Sequence, residues 1–122
     1  MTNATRTPWD TRGFSRIARA IVPDGYTLSV VLIGDMRARA LNRAYRDKHT
    51  ASNVLSFPLS DTAGEVFINL ARVKREAHQY DLTPEGHAAF LLIHACLHLV
   101  GHDHGSRMEE AEQTFLKKFS IR

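Results

Sequence analysis

Four of the chain's seven histidines lie between residues 94 and 104, in the stretch His94-Ala95-Cys96-Leu97-His98-Leu99-Val100-Gly101-His102-Asp103-His104. Residues four apart on an α-helix share one face, so His94 and His98 can aim their imidazoles at one point. Gly101 gives the backbone the freedom to leave the helix, and His104 on the returning chain can then close a triangle. Three imidazoles at these offsets predict a metal site.

The third corner of the triangle has two candidates. We prefer His104, because His102 points the same way as His98 only if the helix continues through Gly101. Cys96 lies on another side of the helix and is not expected to bind the metal. Three protein ligands with one open position are typical of a catalytic metal, which can activate a bound water near neutral pH.

The same offsets occur in the zinc-protease pattern H-E-x-x-H-x-x-G-x-x-H, but Ala95 stands where that pattern has its general-base Glu. The sequence therefore keeps the metal geometry without the group that peptide hydrolysis needs. His87, seven residues before His94, is predicted to be a supporting or surface group, about 10 Å along the helix. Asp103 is either the acceptor that orients a ligand imidazole or a loop cap.

The elements that must position these residues follow from apolar periodicity and from helix signals. Helices are predicted from a cap at Asp10 to about residue 22, over 36–45, from a cap at Asn69 to about 79, over 84–100 after Thr83, and from a capping box of Ser106 and Glu109 onward. Strands are predicted over 26–33, over 54–57 with Pro58 as the stop, and over 65–68, the last two forming a hairpin.

The helix over 84–100 is apolar nearly all round and is expected to be a buried central helix that carries the histidines at its end. In the helix over 36–45, the residues predicted to face inward are Ala40, Leu41, Ala44 and Tyr45, and those predicted to be exposed are Arg37, Arg39 and Arg43. Arg72 is predicted to be exposed on the following helix. The last helix is predicted to bury the stripe Met108, Ala111, Phe115 and Phe119.

Composition limits the class of protein. The 122 residues predict one domain over 1–122, and a single cysteine excludes a disulfide framework. The first ten residues lack the apolar run of a secretory signal, and no apolar stretch approaches the ~20 residues of a membrane span, so we expect a cytoplasmic protein. The net charge is +3, with the basic excess before the histidine cluster, which is compatible with RNA.

The histidine stretch resembles the signature H-G-x-L-H-L-x-G-Y-D-H of the YbeY family, bacterial single-strand-specific endoribonucleases of ribosomal RNA maturation. A second block is also similar to that family: Leu41-Asn42-Arg43-Ala44-Tyr45-Arg46, followed by Asn53-Val54-Leu55-Ser56-Phe57-Pro58. Gly64-Glu65-Val66-Phe67-Ile68 resembles its next strand. The similarity extends from about Tyr26 to Phe119.

The resemblance implies an α+β fold, with a small mixed sheet of three strands or a very short fourth, about five helices and the metal site at the end of the central helix. It implies one divalent metal ion, taken as Zn²⁺, held by His94, His98 and His104, with Arg46 and His94 as catalytic residues. Arg46 would grip the scissile phosphate. Further candidates for RNA contacts are Arg43, Lys48, Arg72 and Lys74.

The implied activity is hydrolysis of single-stranded ribosomal RNA at the 3′ end of 16S rRNA and in ribosome quality control. The implied partners are ribosomal RNA, the small ribosomal subunit, a small-subunit ribosomal protein and an assembly GTPase, with no membrane and a monomeric chain. Two alternatives remain: a ribosome-assembly factor that acts by binding, with a structural metal, and a metzincin-like metalloprotease, which Ala95 disfavours.

Overall fold

The computed structural model describes residues 1–46, 50–102 and 105–122. The strands are β1 (Thr2–Asn3), β2 (Thr27–Ile33), β3 (Val54–Ser60) and β4 (Ala63–Asn69). The helices are α1 (Arg12–Ile21), α2 (Asp35–Arg46), α3 (Leu70–Glu76), α4 (Pro84–Leu99) and α5 (Ser106–Lys118), with a 3₁₀ turn at Ala77–Tyr80. The predicted α+β class is confirmed. The very short additional strand is β1, at the N-terminal end, with two residues.

The sheet is mixed, with the order β1-β2-β4-β3. Strands β1, β2 and β4 run parallel, and β3 returns antiparallel to β4 as the predicted hairpin. Both faces of the two inner strands are covered: Val30 and Leu32 belong to the main core under α1, α4 and α5, whereas Ile33 and Phe67 pack beneath α2. Burial on both faces explains the nearly continuous apolar run of β2.

Helix α4 is the predicted buried central helix. Thr83 caps it by accepting a hydrogen bond from the Gly86 backbone N–H at 3.0 Å, and Pro84 follows in the first turn. Its buried side chains include Leu92, Ile93 and Leu97, on several sides of the helix. Within residues 1–46, 50–102 and 105–122, none of the helices has the length and apolar composition that crossing a bilayer requires.

Two predictions about β3 and α5 were wrong. Pro58 lies within β3 instead of ending it, because β3 is the edge strand and the missing N–H is tolerated there, next to a register shift between Pro58 and Ser60. Ser106 is not a helix cap. The N-cap position of α5 is Gly105, and Ser106 is already in the helix.

The inward face of α2 was also predicted wrongly. Ala38 and Asn42 are buried, Leu41 is half-buried, and Ala40, Ala44 and Tyr45 are exposed. The buried side chain of Asn42 is held by two hydrogen bonds. Its Nδ2 donates to Thr50 O at 2.7 Å and to Ser52 Oγ at 2.8 Å. Hydrogen bonding outweighed apolar periodicity in orienting this helix.

Candidate functional site

The predicted catalytic residues meet at the C-terminal end of α4. A cavity of about 370 Å³, here called the histidine-arginine cleft, lies between this end of α4, the end of α2 and β3. Its lining includes Arg46, Ser56, His94, Ala95 and His98. The structure therefore brings the guanidinium of Arg46 into the same cavity as the imidazoles of His94 and His98, although Arg46 is far from both in sequence.

His94 is oriented by a carboxylate that the sequence interpretation missed. Its Nδ1 lies 3.2 Å from Oε2 of Glu112, which is 7% exposed and comes from α5. An ionised carboxylate has no proton to donate, so Nδ1–H is the donor to Glu112 and Nε2 is the nitrogen left for a metal. Asp103, the acceptor considered from the sequence, lies outside the described residues.

A signal for Glu112 was present in the sequence. Met108 is buried, and Glu112 follows it four residues later on the same face of α5, so the carboxylate interrupts a buried stripe. Carboxylates are rarely buried without a partner. A charged residue on an apolar stripe therefore indicates a polar partner across the interface, and here that partner is a predicted metal ligand.

The histidine pair is compatible with a metal ion. His94 and His98 lie one turn apart and line the same cleft, and metal-binding imidazoles commonly donate their other N–H to a carboxylate, as His94 does to Glu112. The third predicted ligand, His104, lies outside the described residues. Among the residues that are described, no three histidine, cysteine or carboxylate side chains form a metal-binding group.

His102, the alternative third ligand, would point the same way as His98 only if α4 continued through Gly101, and it does not. Helix α4 ends at Leu99, and Gly101 has a φ of +102°, so the helix does not continue to His102. The His102 backbone N–H instead donates to Leu97 O at 3.0 Å. Cys96 is fully buried, and burial raises the pKa of its thiol to about 12, which favours the protonated form over a ligand thiolate.

Polar side chains hold the segment 50–53, which leads from α2 to β3 on one side of the cleft. Asn69 Nδ2 donates to Ser52 O, Arg72 Nη1 donates to Ala51 O, and Asn42 binds both Thr50 and Ser52. These hydrogen bonds fix the start of β3 relative to α2. They thereby fix the two walls of the cleft that carry Arg46 and Ser56.

Of the other predicted RNA-contact residues, the three that the structure describes, Arg43, Arg72 and Lys74, are not part of the cleft lining. Arg43 is exposed on α2 and Lys74 is exposed on α3, whereas Lys48 lies outside the described residues. Arg72 is half-buried, not exposed as predicted, because its guanidinium also binds Glu76 at 3.2 Å. Among the described members of this set, only Arg46 lines the cavity that contains the histidines.

His87 belongs to a buried network that supports α4. Its Nε2 lies 2.9 Å from Glu76 Oε1, which also accepts from Asn53 Nδ2 at 2.7 Å. Burial opposes ionisation of Glu76, but the hydrogen bonds from His87, Asn53 and Arg72 outweigh it and lower the pKa of this carboxyl. His87 is fully buried, so of the two predicted positions, supporting or surface, the surface position is wrong.

Fold and site together define an α+β protein with a cleft lined by one arginine and two histidines at the end of its central helix. Sequence comparison names the family. The family model described as Endoribonuclease YbeY matches residues 11–120, and the chain belongs to this family. The resemblance found in the motifs is thus confirmed.

Individual relatives agree. The chain is 39% identical over 113 residues to the Endoribonuclease YbeY of Azorhizobium caulinodans, covering 82% of this chain and 71% of that protein. It is 37% identical to the Endoribonuclease YbeY of Neisseria meningitidis, covering 91% of this chain and 71% of that protein. The solution structure of TM1509 from Thermotoga maritima has the same fold, with a TM-score of 0.71, 22% identity and coverage of 97% of this chain and 86% of that one.

Proposed function

We propose that this chain is a metal-dependent endoribonuclease that cuts single-stranded ribosomal RNA at the 3′ end of 16S rRNA and in ribosome quality control. Membership of the endoribonuclease family supports RNA hydrolysis. The observation that carries the proposal is the cleft in which Arg46 meets His94 and His98. The cleft combines a phosphate anchor with donors for a metal ion.

Arg46 would bind the scissile phosphate. A guanidinium stays charged and can donate two parallel hydrogen bonds to phosphate oxygens, which fixes the orientation of the phosphodiester. The side chain lies at the exposed end of α2, where RNA can reach it. Its positive charge would also stabilise the negative charge that develops on the phosphate oxygens in the transition state.

His94, His98 and His104 would hold one divalent metal ion, Zn²⁺ in our proposal. When bound, such an ion polarises the phosphate and lowers the pKa of a coordinated water. Glu112 would keep His94 in the tautomer that a metal requires. Ala95 lines the cleft where a protease would carry its general base, so the site favours a phosphodiester over a peptide.

We also propose that the enzyme acts in the cytoplasm, as a monomer, on the small ribosomal subunit. A small-subunit ribosomal protein and an assembly GTPase are the proposed protein partners. Arg43, Lys48, Arg72 and Lys74 remain the proposed contacts to the RNA backbone. Such contacts would weaken with increasing salt.

Cleavage of end-labelled RNA tests the proposal. We expect the metal-loaded protein to cut single-stranded ribosomal RNA and to spare the same sequence in a duplex. His98→Ala should abolish cutting, whereas His78→Ala, which changes an exposed histidine on the 3₁₀ turn, should not. Equal cleavage by wild type and His98→Ala would reject the proposed site.

The binding-factor alternative makes a different prediction for His94→Ala. If the metal only braces the fold, this variant should lose thermal stability and yet keep its association with ribosomes. If the enzyme proposal is right, a folded His94→Ala protein should associate normally and leave 16S rRNA unprocessed. Sedimentation with ribosomes, combined with mapping of the 16S 3′ end, separates the two.

A further inference from the structure

A second cavity adjoins the histidine-arginine cleft and has no role in the chemistry described above. This cavity of about 410 Å³, here called the Tyr80 cavity, is lined by residues from the 3₁₀ turn, α4 and α5, together with Gly105 and with Asn53, the residue before β3. His94 lines both cavities. An RNA strand whose phosphate lies beside Arg46 can therefore place a neighbouring nucleotide in the Tyr80 cavity.

One wall of the Tyr80 cavity is aromatic. The ring of Tyr80 stacks on the ring of His87, with centroids 4.6 Å apart and planes 18° from parallel, and Phe90 lies next to both. His87 is fully buried, whereas Tyr80 is 51% exposed. The tyrosine thus has one side held by a fixed ring while much of its surface remains accessible. Such a surface suits stacking of a nucleobase.

The polar groups of the Tyr80 cavity are mainly hydrogen-bond acceptors. The carboxylates of Glu109 and Glu112 line it, and both accept when ionised. Asn53 uses its amide nitrogen on Glu76, which leaves its oxygen as the remaining acceptor. Carboxylates repel phosphate, so this lining is unsuited to the RNA backbone and suited to the N–H groups of a base.

His87 supplies a further unmet group. Its Nε2 lies 2.9 Å from the Glu76 carboxylate, so Nδ1 is the ring nitrogen left for another partner. This Nδ1 is buried and has no hydrogen-bond partner among the described residues. A buried polar atom without a partner is costly, and ligand sites are places where such atoms occur.

We propose that the Tyr80 cavity is a nucleobase subsite of the RNA substrate, in which the base stacks on Tyr80 and presents an exocyclic amino group to Glu109. The subsite would favour adenine, guanine or cytosine over uracil, which has no exocyclic amino group to donate to Glu109. This inference rests on the proposed RNA-cleaving function. It makes Glu109 a specificity-determining residue and Tyr80 a positioning residue.

Binding of short single-stranded RNAs tests the subsite. Each fluorescein-labelled RNA carries cytidine, uridine or an abasic residue at one position in turn, and fluorescence anisotropy is measured under conditions in which electrophoresis shows the RNA intact. At one position, replacing cytidine by uridine should weaken binding to the wild type by about tenfold, the size of one lost base contact, and replacing it by the abasic residue should weaken binding further because stacking is also lost.

Two pairs of variants connect that position to the cavity. Glu109→Gln should abolish the preference for cytidine over uridine, whereas Glu110→Gln, the same charge change on an exposed neighbour, should keep it. Tyr80→Ala should weaken binding of the cytidine and uridine RNAs by the same factor. In this variant the abasic RNA should bind no more weakly than the uridine RNA, because there is no stacking left to lose. Tyr80→Phe keeps the ring and should bind like the wild type.

The subsite is rejected if no position distinguishes cytidine from uridine, if the preference survives Glu109→Gln, or if the wild type binds none of the RNAs. Cleavage of the same RNAs is followed separately. Cleavage without a Glu109-dependent preference would reject the subsite and leave the proposed function standing. A Glu109-dependent preference without cleavage would support the subsite and reject the nuclease.

Discussion

Single side chains determine what the histidine-arginine cleft can do. Arg46 is exposed at the end of α2 and faces the same cavity as His94 and His98. A planar guanidinium binds phosphate through two donors, whereas an ammonium binds it as a point charge. The geometry of the anchor, and not only its charge, should therefore matter for catalysis.

Arg46→Lys tests this point. We expect kcat/KM for single-stranded RNA to fall by about 10- to 100-fold, because bidentate stabilisation of the transition state is lost while the charge is kept. Arg39→Lys, an exposed position on the same helix, should change kcat/KM by less than about twofold. If both variants were equally active, Arg46 would not be the phosphate anchor.

The third metal ligand can be assigned by metal content. Because α4 ends before Gly101, His104→Ala should lose the bound ion, measured by mass spectrometry after dialysis, and His102→Ala should retain it. Retention without His104 and loss without His102 would reverse the assignment.

At the residue scale, the histidines were predicted from their local spacing, whereas Arg46 was predicted from a family motif. Glu112 was missed because its role depends on the packing of α5 against α4, which brings it within 3.2 Å of His94 from 18 residues away in sequence. Arg72 was predicted to be exposed for a similar reason. Its partner at Ala51 lies on a loop whose path could not be read from the sequence.

At the scale of elements, the junction of β4 and α3 holds the cleft together. Asn69 is 1% exposed, caps α3 by accepting from the Arg72 backbone N–H, and donates to Asp35 and Ser52. One side chain thus joins α2, α3 and the segment before β3. The predicted cap was confirmed, but its two further hydrogen bonds depend on the tertiary fold.

Asn69→Ala should lower the free energy of unfolding by about 2 kcal/mol or more, because it removes a cap and leaves buried partners without hydrogen bonds. Asn3→Ala, at an exposed position in β1, should cost less than about 1 kcal/mol. Urea unfolding followed by circular dichroism measures both. Equal stability of the two variants would contradict the role given to Asn69.

Element boundaries show where local signals were sufficient. Thr83 and Pro84 located the start of α4 because a capping hydroxyl and a first-turn proline act within one turn. The prediction that Pro58 ends β3 was wrong because an edge strand tolerates proline, and the position of a strand in the sheet cannot be read from local sequence. Gly64 shows the same dependence: a Cβ there would lie 2.9 Å from Leu99 Cδ1, so this glycine lets the end of α4 approach β4.

At the scale of the whole molecule, buried and half-buried carboxylates couple stability to pH. Arg75, together with Asn69, holds the pKa of Asp35 at about 2, and the network around His87 lowers the pKa of Glu76. A lowered pKa in the folded state means stability that is present above the unfolded pKa and is lost as the pH falls through the folded value. Acid should therefore weaken the fold around the cleft.

Asp35→Asn should reduce the free energy of unfolding at pH 7 by about 1–2 kcal/mol, allowing for the partial exposure of the ion pair. The variant should also lose less stability than the wild type between about pH 4 and pH 2. Asp61→Asn, in the exposed hairpin turn, is the matched control and should follow the wild type. Parallel curves for Asp35→Asn and wild type would show that the Arg75 pair does not contribute.

We expect RNA cleavage to depend on a metal held by the α4 histidines. The most direct measurement is single-turnover cleavage of end-labelled single-stranded RNA by the purified protein, by the protein after chelation, and by the stripped protein with Zn²⁺ restored. We predict that the purified protein cleaves the RNA, that the chelated protein does not, and that Zn²⁺ restores cleavage to the stripped wild type. His98→Ala should not recover cleavage when Zn²⁺ is added. Cleavage that persists after metal analysis shows the ion to be gone would contradict the account.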